Sequence, residues 1–600
     1  MSIPASEQAA PVWPALARWA ATPLAWALLA TLFLVVATLA GPGPSLTDWL
    51  GDTDDATRLV TVRELLAGAP WFDTTLPRIG APTPLLSHWS RLIDAPLALM
   101  IGALSPLVGA DRAELATRVL WPALLFLALA WIVAREAERR CGLIAAAFAL
   151  FLVTTSAMAL AQFRPGRIDH HNAQILCAVA GLIFLARSPA DARAGWIAGA
   201  LLGLGLAIGY EAIALVVPAL ALAALVGLVR PQHAAGPLRA AAGATLALAA
   251  AFALTVSPLN WFDVRCDALS LNLPLLAAYV TAGLWAACTN RQRPGVRVAI
   301  LGLAVACGAL LFAALEPACL AGPFGQVDAA LRPIWLDHVM ETSSIVWLTS
   351  NQPAAAFGIG AFLGAGAAAQ IALVRRRPDI GTGLATAFIL LAACLSLWQI
   401  KLMPYACWLA ALSIAVWAAQ LTGTAALSSP VVRIAAVVLL SQATLESGFA
   451  ALIAPFQGGH AAATGSASVN RADPRRPCYR LASMRRLGAL PPGLVAADID
   501  LGPYVVAGSP HRVVAAPYHR LAKSILANHA ILDSAPQQGL AEARALGVGY
   551  IALCADFPDA RADAGTLRSQ LLARRRIDGL DELPTAAGAP IRIWQLSPTR

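Results

Sequence analysis

The chain has 600 residues, of which 58% are hydrophobic and 13% charged, and its mean hydropathy is +0.67. About a quarter of the residues in a soluble globular protein are charged, so this composition excludes that class and predicts a membrane protein. The formal net charge of +9 comes from basic residues scattered singly or in short clusters. They form no basic stripe interleaved with aromatic residues, which argues against a nucleic-acid partner.

Apolar runs long enough to cross a hydrocarbon core of about 30 Å recur from residue 24 to about residue 455 and then stop. The first run is too long for a removable signal peptide and lacks its cleavage pattern, so we expect a retained span. We predict thirteen transmembrane helices, at 24–41, 118–134, 143–161, 172–187, 194–209, 211–229, 238–256, 271–288, 297–316, 353–374, 381–398, 402–421 and 432–453. A further run, Ala95–Ala110, is short, contains Pro106 and lies between Asp94 and Asp111, which predicts an interfacial or re-entrant helix.

Arginine decides the orientation, because cytoplasmic loops collect basic residues. With the N-terminus inside, five predicted inner loops are basic. They contain Arg135, Arg139 and Arg140; Arg187 and Arg193; Arg230 and Arg239; Arg291, Arg293 and Arg297; and Arg375, Arg376 and Arg377. Counting 95–110 as a span would move all five outside. We therefore predict a protein of the cell inner membrane with a cytoplasmic N-terminus and outer loops at 42–117, 162–171 and 317–352.

The first outer loop opens with three carboxylates, Asp52, Asp54 and Asp55. Carboxylates at this spacing can share a hard divalent cation, whose shell is built from oxygen ligands. The alternative is the start of a helix, where Asp is favoured as the N-cap.

The second outer loop, 162–172, concentrates ionisable side chains between two spans. Asp169, His170 and His171 can ligate a metal or hold a substrate oxygen, and Arg164 and Arg167 can bind a phosphate through paired hydrogen bonds. The alternative is a polar turn at the interface. Ionisable groups at membrane depth are nevertheless functional candidates.

Three single residues lie on the same predicted face: Glu211, Glu341 and Lys401. Glu211 sits between two spans joined by almost no loop, where a buried carboxylate needs a partner. Glu341 belongs to the long outer loop, and Lys401 begins the twelfth span. The alternative for each is an interfacial ion pair or a side chain that reaches for water.

After the last span, the segment 456–468 is rich in Gly, Ser and Ala and is predicted to be a linker. Short β-like and helix-like runs alternate in 469–600, which predicts an exoplasmic, periplasmic α/β domain. Its polar cluster, which includes His519, follows Asp500 closely and is predicted to cover the membrane site and bind the acceptor. The alternative is an ordinary polar surface.

Four of the ten cysteines fall on the exoplasmic side of this topology: Cys266, Cys319, Cys478 and Cys554. An oxidising compartment allows Cys266 to pair with Cys319 and Cys478 with Cys554, although spacing alone does not prove the pairing.

The order of these features resembles the catalytic subunit of oligosaccharyltransferase, a member of the GT-C superfamily of polyprenol-dependent glycosyltransferases. Asp54 follows the first span and precedes Trp71-Phe72-Asp73, an acidic loop comes two spans later, and a basic residue begins a late span. The resemblance implies thirteen spans, a soluble C-terminal domain, and a catalytic metal held by Asp54, Asp169 and Glu341.

Two further patches extend the resemblance. Lys401-Leu402-Met403 is similar to the Arg-Leu-Met patch that meets the diphosphate of the donor in that family. The segment 497–504, which contains Asp500, stands where the family has its acceptor-binding Trp-Trp-Asp-Tyr-Gly motif, but both tryptophans are missing.

The resemblance implies an enzyme that transfers a sugar or oligosaccharide from a polyprenyl phosphate or diphosphate donor to an exoplasmic protein, lipid or glycan. Mg²⁺ or Mn²⁺ would act as a Lewis acid on the leaving phosphate. Lys401 with Arg164 or Arg167 would add positive charge there, and His170 or a carboxylate would accept the proton of the acceptor. The alternatives are a transporter or flippase of a lipid-linked saccharide, which should show paired repeats, and a polysaccharide ligase or polymerase.

Overall fold

A computed structural model describes residues 22–289, 293–339, 343–421, 429–456, 476–555, 565–586 and 588–597. Glu341 and all but the first residue of the predicted linker 456–468 lie outside these ranges. Within them the chain is mostly helical. The helices are Pro23–Leu39, Thr53–Leu66, Arg91–Val108, Ala110–Cys141, Leu143–Thr154, Ala157–Leu160, His171–Arg187, Ala192–Ile208, Ile213–Val229, Ala235–Thr255, Asn272–Thr289, Pro294–Leu315, Leu331–Ile334, Ile345–Asn351, Pro353–Arg376, Ile380–Trp398, Met403–Ala419, Pro430–Leu439, Gln442–Ile453, Leu481–Gly488, Gly502–Gly508, Ala522–Leu532, Pro536–Ala545 and Leu567–Leu572.

Eleven of the thirteen predicted spans each fall on one of these helices. The span 143–161 covers two, Leu143–Thr154 and Ala157–Leu160, and the last is the pair Pro430–Leu439 and Gln442–Ile453, bent by 61°. Among the residues that the structure describes, eight helices are long and apolar enough to cross a membrane by length and composition, and the bent pair makes up to nine. Five further apolar helices have 10 to 17 residues. The chain is therefore an integral membrane protein, while the count of thirteen spans stays a prediction.

The run predicted to be interfacial or re-entrant forms one helix, Arg91–Val108, that continues through Pro96 and Pro106. Its 18 residues also pass the length and composition test for a span. Pro106 lies in the last turn, and the helix ends at its C-cap, Gly109, rather than at the proline. The interfacial or re-entrant placement of this helix stays a prediction.

The C-terminal segment forms a five-stranded mixed sheet. Its strand order is Arg512–Val513, Leu494–Ala497, Val548–Cys554, Ile591–Leu596, Leu580–Glu582. The first three strands are parallel and the last two are antiparallel to their neighbours. Alternation of strands and helices gives this arrangement, as the sequence predicted, but the solubility and boundaries of the domain stay predictions.

The first outer loop is folded onto the edge of this sheet. It contains the short hairpin Thr75–Leu76 and Leu85–Leu86, and between those strands Ile79 forms a parallel bridge with Val513. The backbone N–H of Gly80 donates to Val513 O at 2.9 Å, which continues the pairing. One hydrophobic core cluster includes buried residues of both the loop and the C-terminal segment. The two parts of the chain, about 400 residues apart in sequence, therefore form one folded unit.

Both expected cysteine pairs are bonded. Cys266 is joined to Cys319 and Cys478 to Cys554, with Cα–Cα separations of 4.9 Å and 5.8 Å. The first disulfide ties the connection before the helix Asn272–Thr289 to the segment after Pro294–Leu315, and the second lies within the C-terminal segment. The expected pairing is confirmed.

Candidate active site

The three carboxylates that open the first loop have three different roles. Asp52 is the N-cap of the helix Thr53–Leu66, and its side chain accepts the N–H groups of Asp54 and Asp55 at 3.0 Å and 3.1 Å. Asp55 closes a reciprocal capping box by accepting the N–H of Asp52 at 3.1 Å. The helix-start alternative is thus correct for Asp52, and Asp54 is half-buried in the first turn of the same helix.

Asp55 joins the first outer loop to the second. It is fully buried, and its Oδ1 accepts the backbone N–H groups of Ile168 and Asp169 at 2.7 Å and 3.0 Å. Burial raises the pKa of Asp55 well above its usual range, with Asp52 and Asp169 adding to the rise and Arg167 opposing it. The contact fixes the position of Asp169 relative to the helix that carries Asp54.

Arg167 lies among these carboxylates. Its guanidinium is 2.7 Å from Asp55 Oδ2 and 3.2 Å from Asp169 Oδ2, and it also pairs with Asp52. Its Nε and one NH2 group donate to Gln162 Oε1 as well. These donors are occupied by the protein itself, so the contact of Arg167 with a substrate phosphate stays a prediction that needs the carboxylates to release it.

Asp169 and the two histidines stand at the start of the helix His171–Arg187. Asp169 Oδ1 accepts the N–H of His171 at 2.7 Å and lies 3.2 Å from His170 Nδ1. Burial acts to raise the pKa of Asp169, but its interactions with His171, His170 and Arg167 lower it more, so the carboxyl is held well below its usual range. Asp169 is therefore an ionised ligand candidate in a buried position.

Glu211 is the partner of His170. Its Oε1 lies 3.0 Å from His170 Nε2, and its Oε2 accepts a hydrogen bond from Gln174. Burial acts to raise the pKa of Glu211, but His170, His171 and Lys401 lower it well below its usual value. The ion-pair alternative for Glu211 is therefore correct, with His170 as its partner.

Two sets of residues in the described part of the chain have ligand atoms within 4.8 Å of one another around Asp169: Asp169 with His170 and His171, and Asp169 with Asp52 and Asp55. Arg167 pairs with all three carboxylates of the second set, which leaves the first set better suited to a cation. His170 Nδ1 is buried and lies 3.2 Å from Asp169 Oδ1 without hydrogen-bond geometry, so among the described residues this ring nitrogen makes no hydrogen bond and can accept a metal. The residues therefore fit a divalent metal.

Asp54, the first predicted metal ligand, is in neither of these sets. Its Oδ1 lies 3.1 Å from the hydroxyl of Tyr518, which is also 2.7 Å from Thr57 Oγ1. It remains on the same turn as Asp55 and so on the same side of the molecule as Asp169. The shared metal set of Asp54, Asp169 and Glu341 stays a prediction, with Glu341 outside the described residues.

Aromatic rings connect the first loop, the histidines and the C-terminal segment. The Trp89 ring is 5.4 Å from that of Tyr518 and 6.0 Å from that of His170, between ring centroids. The Arg58 guanidinium lies 4.4 Å from the centre of the Trp89 ring and forms a buried ion pair with Asp94 at 2.5 Å. Through these contacts Trp89 packs between His170, a metal-ligand candidate, and Tyr518 of the C-terminal segment.

A second histidine cluster lies next to Trp89. His519 Nε2 is 2.5 Å from Asp267 Oδ2, and Arg520 binds both oxygens of Asp267 at 2.7 Å. The His88 ring is 4.9 Å from that of His519. These three ionisable side chains, His88, Asp267 and His519, form another set with metal-ligand spacing. Arg520 occupies both oxygens of Asp267, however, so this cluster is better described as an ion pair that orients His519.

The remaining predicted residues lie around these clusters. Arg164 is half-buried on the turn that ends at Arg167. Asp500 is half-buried in the short 3-10 turn Ile499–Leu501, and Tyr504, just after it, donates to Gly51 O at 3.0 Å. The segment with Asp500 therefore approaches the start of the first loop. Lys401 lies in the 3-10 turn Ile400–Leu402.

Sequence reasoning did not single out His88, Trp89 and Asp267, and it treated Tyr518 only as part of a polar cluster. They come from three segments whose meeting depends on how the loops fold. Only Asp267 could have been found from the sequence, because it follows Cys266, which was expected to form a disulfide in an outer loop.

No family model matches the chain, and no curated protein matches it in sequence. Solved structures of oligosaccharyltransferase AglB from Archaeoglobus fulgidus do match. The complex with an inhibitory peptide and a dolichol-phosphate has a TM-score of 0.66 and 13% identity, covering 94% of this chain and 79% of that one. The complex with Zn and sulfate has a TM-score of 0.59 and 14% identity, covering 89% of this chain and 68% of that one. The form tethered to an acceptor peptide with the NVT sequon has a TM-score of 0.64 and 14% identity, covering 97% of this chain and 74% of that one.

The match extends over nearly the whole chain, including the C-terminal segment, and at this identity it is a likeness of fold. The protein has a fold similar to that of these oligosaccharyltransferase structures. Among solved examples its architecture is similar to that of the archaeal oligosaccharyltransferase AglB, and the resemblance read from the sequence is confirmed at that level.

Proposed function

We propose that this protein is a membrane glycosyltransferase that transfers a sugar or oligosaccharide from a polyprenyl phosphate or diphosphate donor to an exoplasmic acceptor. One observation supports this most: the Asp169 turn with His170 and Glu211, and the Asp54 turn with Tyr518, come from separate parts of the chain and are joined through the hydrogen bonds of Asp55. AglB, which has a similar fold, was solved with a dolichol-phosphate, and this supports a lipid-linked donor.

The charge distribution fits a donor of this kind. Transfer from a lipid phosphate leaves negative charge on the departing oxygen, and fixed positive charge beside that oxygen lowers the barrier. Lys401 can supply this charge from the side of the site that the membrane helices form. The prenyl tail is apolar and can reach the site from the bilayer.

We assign the metal to Asp169, His170 and His171, with Asp54 and Glu341 as further ligand candidates. When bound, a divalent cation supplies Lewis-acid stabilisation of the leaving phosphate. Imidazole ligands suit Mn²⁺ or Zn²⁺ better than Mg²⁺, which prefers oxygen. Asp55 has the positioning role, because its two backbone hydrogen bonds hold the Asp169 turn in place.

We assign the acceptor to the side that the C-terminal segment covers. Asp267 and Arg520 orient His519 there, Tyr518 lies against Asp54, and Asp500 belongs to the same segment. A histidine bonded to a carboxylate is suited to accept the acceptor's proton as the new glycosidic bond forms. The departing polyprenyl phosphate keeps the electron pair of the bond that breaks.

The test uses purified full-length protein and polyprenyl-linked sugar donors, with release of sugar measured with and without a chelator. We expect Asp169→Ala and Asp54→Ala to reduce turnover at least about a hundredfold, since loss of transition-state charge stabilisation costs this much or more in other enzymes. Asp111→Asn is the matched control, because Asp111 is an exposed carboxylate of the same outer loop and lies outside the site. Equal turnover in the wild type and both site variants contradicts the proposal.

A further inference from the structure

A cavity of about 550 Å³ lies at the end of the helix bundle that carries the arginine-rich connections. The ends of five helices enclose it: Ala110–Cys141, His171–Arg187, Pro353–Arg376, Ile380–Trp398 and Met403–Ala419. The candidate active site lies at the other end of His171–Arg187, where Asp169 precedes the helix. The two sites are therefore separated by the length of the bundle.

Arginine dominates the lining of this cavity. Its charged lining residues are Arg139, Arg140, Arg187, Arg377, Asp191 and Asp379. Both carboxylates have partners in the protein: Asp379 caps a helix by accepting Thr382 N at 2.9 Å, and Asp191 lies 3.7 Å from Arg187. Four arginines line the cavity with two carboxylates, so the arginine charge is in excess.

Glu136 holds two of these arginines in place from behind the cavity. It is 2% exposed and accepts two hydrogen bonds from Arg139, at 2.9 Å and 2.8 Å, and one from Arg140 Nε at 2.6 Å. A single buried carboxylate thus orients two guanidinium groups. Such preorganised cations bind an anion at a lower entropic cost than free side chains do.

Unused donors face the cavity. The two terminal nitrogens of Arg140 donate to no group in the part of the chain that the structure describes, and the Arg377 side chain has no hydrogen bond or ion pair there. Planar guanidinium groups match the geometry of phosphate oxygens and bind them in pairs. The cavity therefore presents several free phosphate-binding donors.

We propose that this cavity binds a phosphate group, either as the headgroup of an anionic phospholipid or as free phosphate. Its volume is in the range of small-molecule sites. Basic pockets between membrane helices on the cytoplasmic side are places where anionic headgroups bind. An adjoining apolar slot beside Arg140 has about 30 Å³, room for about one water, so it admits no acyl chain and the headgroup is the bound part.

The test compares two variants of the full-length protein in detergent. Arg377→Gln removes a lining guanidinium that makes no hydrogen bond or ion pair with the described residues, so the fold should be kept. Arg375→Gln makes the same charge change two residues away, at an exposed position outside the lining. Binding is measured by native mass spectrometry and by the rise of the thermal midpoint, with inorganic phosphate, with phosphatidylglycerol and with phosphatidylcholine.

We expect saturable binding of phosphate or phosphatidylglycerol, weakened about fivefold by Arg377→Gln and unchanged by Arg375→Gln, since one arginine contributes about this much to anion binding. Binding of phosphatidylglycerol without binding of phosphate would identify a lipid site, and binding of both would identify a general phosphate site. Equal binding to the two variants, or no preference for anions over phosphatidylcholine, overturns the proposal. Sugar-transfer activity is not part of this readout, so the result is independent of the proposed function.

Discussion

Asp55 determines the geometry of the candidate site although it is not a predicted ligand. Its side chain accepts hydrogen bonds from the backbone N–H groups of Ile168 and Asp169 in the second outer loop, and it also pairs with Arg167. With the N–H of Asp52 from the capping box, a single carboxylate thus satisfies three backbone donors and one guanidinium in a buried position, where unsatisfied groups are costly.

We expect Asp55→Ala to lower the free energy of unfolding by about 2–4 kcal/mol, because it leaves two buried N–H groups and part of Arg167 without an acceptor. The measurement is the thermal midpoint of the purified protein. Asp111→Asn serves as the control on an exposed carboxylate and should leave the midpoint unchanged. An Asp55→Ala midpoint equal to that of the wild type would show that these hydrogen bonds do not hold the loop.

Asp267 gives a pH dependence whose sign follows from its partners. Burial acts to raise the pKa of Asp267, but the hydrogen bonds of His519 and Arg520 lower it more, so the folded-state pKa lies well below the usual value. A depressed carboxyl pKa contributes stability above the unfolded-state pKa of about 3.9, and this stability is lost as the pH falls below that value.

We therefore expect the wild type to lose more thermal stability between pH 6 and pH 3 than Asp267→Asn does, with the main divergence below about pH 4. The measurement is the thermal midpoint of both proteins across that range. Parallel curves would mean that the ion pair with His519 and Arg520 adds nothing to stability.

At the scale of elements, the sheet edge explains how the first loop reaches the C-terminal segment. Gly80 lies in the left-handed region at φ +102°, and a Cβ there would come within 2.4 Å of Thr83 O and 2.7 Å of Leu521 Cδ2. Only glycine therefore allows the backbone to turn and pair with Val513 at this point.

We expect Gly80→Ala to loosen this pairing and to speed cleavage by added protease in the first loop and the C-terminal segment. Gly43→Ala is the matched control, because a Cβ at Gly43 meets nothing within 4 Å and its backbone φ lies outside the left-handed region. Limited proteolysis followed by mass analysis measures the difference. Equal cleavage rates in the two variants would contradict the sheet-edge contact.

At the scale of the whole molecule, the folded unit of the first loop and C-terminal segment lies at one end of the bundle, and the arginine-rich connections lie at the other. The two disulfides fit an oxidising compartment at the end with the sheet. Both observations favour the predicted orientation, with the arginines cytoplasmic and the C-terminal segment exoplasmic.

We expect a cysteine placed at Lys523 to react with a membrane-impermeant maleimide in intact cells and one placed at Arg375 to react only after the membrane is opened. Both positions are exposed in the structure, so accessibility within the protein does not limit the reaction. Labelling of Arg375→Cys in intact cells, with Lys523→Cys protected, would reverse the topology.

The sequence by itself determined that the chain is an integral membrane protein, where its apolar helices lie, and which outer loops hold ionisable residues. These features follow from local composition, because an apolar stretch of sufficient length forms a helix in the bilayer whatever its neighbours are. The candidate residues Asp169, His170 and Lys401 were found for the same reason, since charge is conspicuous at the ends of apolar runs.

Only the tertiary structure decided how these groups are paired. It buried Asp55 against the Asp169 turn, placed Arg167 among three carboxylates, and brought Asp267 to His519 across about 250 residues of chain. The ionisation and availability of a polar side chain depend on neighbours that come from distant segments, and no periodicity along the chain encodes that distance. The lining of the basic cavity was decided in the same way, because its arginines come from three separate helix connections that meet only when the bundle is packed.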